Sequence, residues 1–363
     1  MKRWMKYGMT TMAATLILAA CGSTDAQSEV PNDTQEDNGK LKVVATLFPQ
    51  YDFVRQIAGD LVDVTKLLPA GVDVHHYEPT PQDIITLNDA DLFIYTGAEM
   101  EPWAHRLVET VDHPIRVLDV SQNANLIPWG AHDDHDGHDD HDHDAHDGHD
   151  HDAHDDHAHD AHDDHDHDAH DAHDHDAHDH DAHDDHDHDH DHTYDPHIWT
   201  SPVNAMNMVE TILQALVEMA PEHEEEFRTN AEAYIGELGD LHLAFRDMVA
   251  TASRDTIYHA GRFAVHYLLA EYGIHFVAAP METDPSAALI AQMITEIKEQ
   301  NIPAVFHEEL VNPRYADMIA SETGAKSLLL HSLHNVSNDE LAAGITYLDL
   351  MEQNLANLRF ALN

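Results

Sequence analysis

The 363-residue sequence predicts two α/β lobes, each a mainly parallel sheet flanked by helices, with a ligand cleft between them. Three observations predict it. Two separate series of short β-prone runs alternate with helical patterns, one before residue 121 and one after residue 253. Between the two series lies a helical pattern of roughly 30 residues, which at 1.5 Å per residue spans about 45 Å and is long enough to bridge two lobes. The stretch that fits neither pattern, 132–192, holds only His, Asp, Ala and Gly, so it cannot add to a core.

The first series opens with strand-like Leu41–Leu47, then a helix over Tyr51–Ala58 with Phe53, Val54 and Ile57 as its apolar stripe. Val62–Leu68 is a second strand, closed by Pro69-Ala70-Gly71. Thr80-Pro81 starts a helix to about Asn88, with Thr80 as N-cap and Pro81 at the first helical position. Ala90–Thr96 is a third strand, Pro102–Val111 a helix and Ile115–Val120 a fourth strand. Beyond the tract, Ser201-Pro202 caps a helix to Met219. Pro221 starts the long one, which Gly236 and Gly239 weaken without ending. The second series predicts strands at 254–259, 274–279, 304–307 and 327–330. Its helices fall at 262–272, 286–300, 313–323 and 346–362. The resulting boundaries are a leader over 1–20, a tether over 21–40, an N-terminal lobe over 41–220 with an inserted loop over 129–194, a linking helix over 221–251 and a C-terminal lobe over 252–363.

Composition narrows the function. The formal charge is −53, of which the tract supplies −27 with His neutral, leaving −26 on the rest. Such a surface excludes nucleic acid as a partner and suits cationic ligands. The tract contains 24 His and 27 Asp in 61 residues. A solvated linker needs no imidazoles, whereas His and Asp together suit divalent transition metals, zinc above all. The leader carries Lys2, Arg3 and Lys6 before an apolar run too short to span a bilayer, and so reads as a secretion signal. It ends Leu18-Ala19-Ala20-Cys21-Gly22, which resembles a bacterial lipobox. Cys21, the chain's one cysteine, is then the lipidation site, and no thiol remains for a disulfide or metal.

Thirteen His lie outside the tract, and several fall where strands end: His75 and His76 before the Thr80 helix, His197 in Asp195-Pro196-His197-Ile198-Trp199, and His331 and His334 after the last strand. Glu308 and Glu309 follow the strand at Phe306. Strand ends in open α/β sheets are where ligands bind.

Five segments carry a resemblance: Phe48-Pro49-Gln50-Tyr51-Asp52-Phe53, His75-His76-Tyr77-Glu78-Pro79-Thr80-Pro81, Gly97-Ala98-Glu99-Met100-Glu101-Pro102-Trp103, Asp195-Pro196-His197-Ile198-Trp199 and Tyr347-Leu348-Asp349-Leu350-Met351. From about Leu41 to Leu362, outside the tract, the chain resembles the zinc- and manganese-binding solute-binding proteins of bacterial ABC importers. The resemblance implies two lobes joined by one long rigid helix, with the metal in the interlobe cleft. It implies a monomer, held outside the membrane by its lipid anchor, that delivers Zn2+ to an ABC permease driven by its ATPase. The His/Asp loop would scavenge or buffer metal. Carried over by position, the first two ligands fall on His75 and His197 and the fourth on His331. The third falls on Arg262, which stays protonated and cannot ligate. His259 or His266 could replace it after a shift in register, and Glu308 could ligate or pair with Arg262. Three imidazoles completed by water or a carboxylate favour zinc over manganese, which prefers oxygen. The alternatives are a carrier for manganese or another divalent metal, a zinc-dependent hydrolase, and an adhesin on the same fold.

Overall fold

The computed structural model describes residues 39–75, 77–128, 193–279 and 284–363. The leader, Cys21, all but the end of the tether, His76 and the His/Asp tract lie outside the described residues. Each half of the chain builds a four-stranded sheet. In the first, β1 (Leu41–Ala45), β2 (Val62–Lys66), β3 (Leu92–Tyr95) and β4 (Arg116–Asp119) lie in the order β2-β1-β3-β4. Val43 sits opposite both Val64 and Leu92, and every pairing is parallel. In the second, β5 (Thr256–His259), β6 (His275–Ala278), β7 (Ala304–His307) and β8 (Lys326–Leu329) repeat the pattern as β6-β5-β7-β8. The strand order therefore reverses at β1/β3 and at β5/β7, and the carboxyl ends of strands at such a reversal form a ligand crevice.

Helices cover the sheets. The N-terminal lobe carries α1 (Phe48–Ala58), α2 (Pro81–Asn88) and the short α3 (Ala104–Val108). Two long helices follow, α4 (Pro202–Met219) and α5 (Glu224–Thr251). The C-terminal lobe carries α6 (His266–Glu271), α7 (Ala287–Gln300), α8 (Arg314–Thr323), α9 (Asn338–Ala343) and α10 (Tyr347–Leu362). No helix among the described residues is long and apolar enough to cross a membrane.

The 28 residues of α5 form the spine, about 42 Å long. Glu224, Glu225 and Glu226 in its first turn complement the helix dipole. Its buried stripe, Phe227, Ala231, Tyr234, Leu238, Leu241, Phe245 and Met248, keeps helical spacing past Gly236 and Gly239. Tyr234 meets Phe53 of α1 at 6.1 Å between ring centroids, and Phe245 stacks on Tyr272 of the other lobe at 5.0 Å. One continuous core thus includes residues of both lobes.

Several expectations need correction. The helix expected from Arg262 begins at His266; Val265 departs from helical geometry at φ −117°, ψ 26°, and residues 260–265 form a loop at the end of β5. The first helix begins three residues earlier than expected, with Pro49 in its first turn. Helix α9 is an element beyond those the sequence predicts, although Ser337 and Glu340 form a capping box and Gly344 terminates it at φ 75°. Thr80 caps α2 and Ser201 caps α4, as expected.

Candidate metal centre

Three loops bring three imidazoles together. His75 follows β2, and its amide donates to the Asp73 carboxylate at 3.0 Å. His197 opens a 3-10 turn over Ile198–Thr200, where Asp195 Oδ1 accepts from the His197 amide at 2.9 Å and lies 2.7 Å from Nδ1. His334 comes from the loop after β8, which is fastened to the opposite lobe. Asn335 Nδ2 donates to the carbonyls of Pro69 at 2.6 Å and Val72 at 3.0 Å, and Gly71 N donates to Val336 O at 2.9 Å. The loop bearing His334 and the loop bearing His75 are therefore stitched together.

One ring nitrogen from each of His75, His197 and His334 lies within 4.8 Å of the other two. The ring centroids of His197 and His334 are 4.7 Å apart, and those of His75 and His334 5.2 Å. Trp199 packs against His197 and His334 and donates Nε1–H to Ser332 O at 2.7 Å.

The tautomers follow from the partners. Asp195 is fully buried, so its carboxylate takes Nδ1–H of His197 and leaves Nε2 as an acceptor without a partner. Burial works to raise the Asp195 carboxyl, but the neighbouring His197 outweighs it and holds it well below the usual range. The Ser332 hydroxyl donates to Glu309 and accepts from His334 Nδ1, leaving His334 Nε2 likewise unpartnered. Burial works to raise Glu309 too, yet His331, His334 and Ser332 hold it well below its ordinary value. Burial lowers His334 to about 4, and His75 is lowered by burial and by His334 and His197. His75 and His334 are therefore neutral near pH 7, the form that ligates metal.

The same cavity, about 390 Å³, is lined by Asp73, Arg262, Glu308 and Glu309. Arg262 Nη1 lies 2.8 Å from Asp73 Oδ2, and its Nε 3.3 Å from Glu308 Oε1. Burial raises Glu308 to about 7 despite that cation.

Of the expected ligands, His75 and His197 join the cluster and His331 does not. The backbone amide of Leu333 donates to His331 Nδ1 at 2.9 Å, so the ring is folded back on its own turn. Asn354 brackets the same residue, accepting from His331 N and donating to its carbonyl at 2.8 Å each. Leu333, at φ 64°, reverses the chain so that His334 faces the cleft instead. His266 lies 3.5 Å from the other oxygen of Asp195, and His259 is buried with Nδ1 3.4 Å from the Gly261 carbonyl; neither belongs to the group. Glu308 pairs with Arg262. In the sequence His334 is a strand-end histidine like His331, and spacing alone does not rank one above the other.

Two parallel-sheet lobes on a helical spine, with three imidazoles converging in the crevice between them, define a two-lobed metal-binding protein. Comparisons with known proteins specify which. The family model for ZnuA, the periplasmic zinc-uptake complex component A, matches residues 43–361. The high-affinity zinc uptake system protein ZnuA of Bacillus subtilis (strain 168) is 32% identical over 366 residues, covering 99% of this chain and 98% of that protein. The zinc-binding lipoprotein AdcA of Streptococcus pneumoniae (strain ATCC BAA-255 / R6) is 30% identical over 350 residues, 95% of this chain and 58% of that longer relative. The crystal structure of the Zn(II)-bound ZnuA-like domain of Streptococcus pneumoniae AdcA superimposes with a TM-score of 0.65 at 27% identity, over 89% of this chain and 99% of that one. The chain belongs to the ZnuA family of periplasmic zinc-uptake components.

Proposed function

We propose that this chain captures Zn2+ outside the cytoplasmic membrane for an ABC importer, holding one ion on His75, His197 and His334. The supporting observation is the trio of converging ring nitrogens, two of them buried acceptors with no partner. A buried, unpartnered polar atom is costly unless a ligand satisfies it. Tetrahedral zinc at about 2.0–2.1 Å from each nitrogen sets them about 3.4 Å apart, a spacing that nitrogens already within 4.8 Å of one another reach by small shifts. Both lobes contribute ligands, and binding would draw them together.

Asp195 and Glu309 support the proposed ligands from behind, accepting through Nδ1 directly or through Ser332. Such partners fix ring orientation and raise ligand basicity. We read the chain as a carrier that does not turn over substrate, tethered through a lipid on Cys21, acting as a monomer and docking on a permease worked by its ATPase. The His/Asp tract would buffer zinc weakly. The described residues that flank it meet: Pro128 bridges Tyr194, and Asp195 N donates to Ile127 O at 2.9 Å, beside the turn that carries His197.

Zinc titration tests the reading. The chain without 131–192 is expected to keep one tight ion, and H75A in that background to lose it. Retention of the tight ion in H75A would refute the assignment.

A further inference from the structure

The cavity that holds the three imidazoles also holds a cation, and its position has a consequence for metal choice. Arg262 lies in the loop at the end of β5, in the C-terminal lobe. Its guanidinium bonds Asp73 of the N-terminal lobe at 2.8 Å and Glu308 of its own lobe at 3.3 Å. Asp73 is two residues from His75, and its second oxygen is taken by the His75 amide at 3.0 Å. Both carboxylates and Arg262 line the cavity of the imidazole trio. Without Arg262, either carboxylate could complete a coordination sphere. With it, each has an oxygen committed to a guanidinium that cannot deprotonate.

We propose that Arg262 determines metal preference by holding Asp73 and Glu308 off the ion, so that the protein offers three nitrogens and leaves the fourth position to a small exogenous donor. This rests on His75, His197 and His334 being the ligands. A nitrogen-rich, four-coordinate sphere suits zinc, while manganese gains most from added carboxylate oxygen. The same guanidinium spans the two lobes and ties the His75 loop to the loop after β7.

The test uses Co2+ and Mn2+ on the full chain, with H75A, which retains the tract, as the baseline to subtract. Wild type is expected to give a tetrahedral Co2+ spectrum that shifts on adding azide, because the fourth position is exchangeable. R262Q frees a carboxylate to enter, so its spectrum should lose the azide response, and Mn2+ affinity should rise by about tenfold or more. R262Q/E308Q should reverse at least part of that rise. E308Q alone should retain the wild-type spectrum and azide response, since Glu308 is not a ligand while Arg262 is present. An altered E308Q spectrum, or an R262Q protein with unchanged azide response and Mn2+ affinity, overturns the proposal. If wild type minus H75A shows no tetrahedral band at all, the ligand assignment itself has failed.

Discussion

Asp195 offers the sharpest perturbation, because it touches the proposed ligand His197 and not the ion. Both side chains are buried, at 0% and 3% exposure, and Oδ1 lies 2.7 Å from Nδ1. Solvent therefore screens little of the interaction. The same oxygen accepts the His197 amide at 2.9 Å, so Asp195→Asn can keep the turn while removing the charge. Replacing a carboxylate behind a metal-bound imidazole typically weakens metal binding 10- to 100-fold, which is about 1.4 to 2.7 kcal/mol. D195N, which keeps an acceptor, is expected near the lower figure. D195A, which frees the ring to rotate and also removes the carboxylate beside His266, belongs near the upper one. Competition against a chromophoric zinc chelator, in the chain without its tract, measures both. Thermal melts of the metal-free proteins separate affinity from folding. Zinc affinity within about twofold of wild type in D195A, outside the whole range expected for such a partner, would refute the role given to Asp195.

Further outcomes follow from the same geometry. H334A should abolish tight zinc binding, whereas H331A should keep it and lose about 1–3 kcal/mol of stability through the buried Leu333 amide it strands, the Asn354 bonds to the backbone of residue 331 being retained; chelator competition and chemical denaturation distinguish the two. Because His334 titrates at about 4 and His75 is also lowered, zinc uptake above about pH 5 should release about one proton or fewer from the three ligands, and calorimetry in buffers of different ionisation enthalpy would show it; release of three would contradict the account. Glu101 is fully buried and burial raises its carboxyl from 4.5 to about 8. The folded state therefore holds a proton that the unfolded state releases, and stability falls as pH rises through that window. The melting temperature of metal-free E101Q should gain on wild type progressively from pH 4.5 to pH 8, and parallel curves would count against it.

Much of the fold is legible in the sequence because its signals are local. The runs at Val43, Val64, Leu92 and Val305 are short, β-rich and bounded by turns, and the caps at Thr80-Pro81 and Ser201-Pro202 mark helix starts unaided. The loop at Arg262 is different. Phe263, Ala264 and Val265 continue an apolar pattern into α6, and only carboxylates from two lobes, Asp73 and Glu308, show why Arg262 stays outside the helix. The choice between His331 and His334 is also long-range. It depends on Asn354, 23 residues away, and on a positive φ at a leucine, which no propensity announces. His197 was legible because the Asp195-Pro196-His197-Ile198-Trp199 segment carries the family resemblance; that Asp195 supports its ring is seen only in the structure. The His/Asp tract announces metal by composition, yet the specific site is built from single histidines at loops far apart in the chain.

The most direct test of the account is the anomalous-diffraction structure of the zinc-loaded protein. One ion is expected in the cleft, about 2.0–2.1 Å from a ring nitrogen of each of His75, His197 and His334, with Arg262 still on Asp73 and Glu308. An ion bound by His331, or one in the cleft whose sphere omits His334, would contradict it.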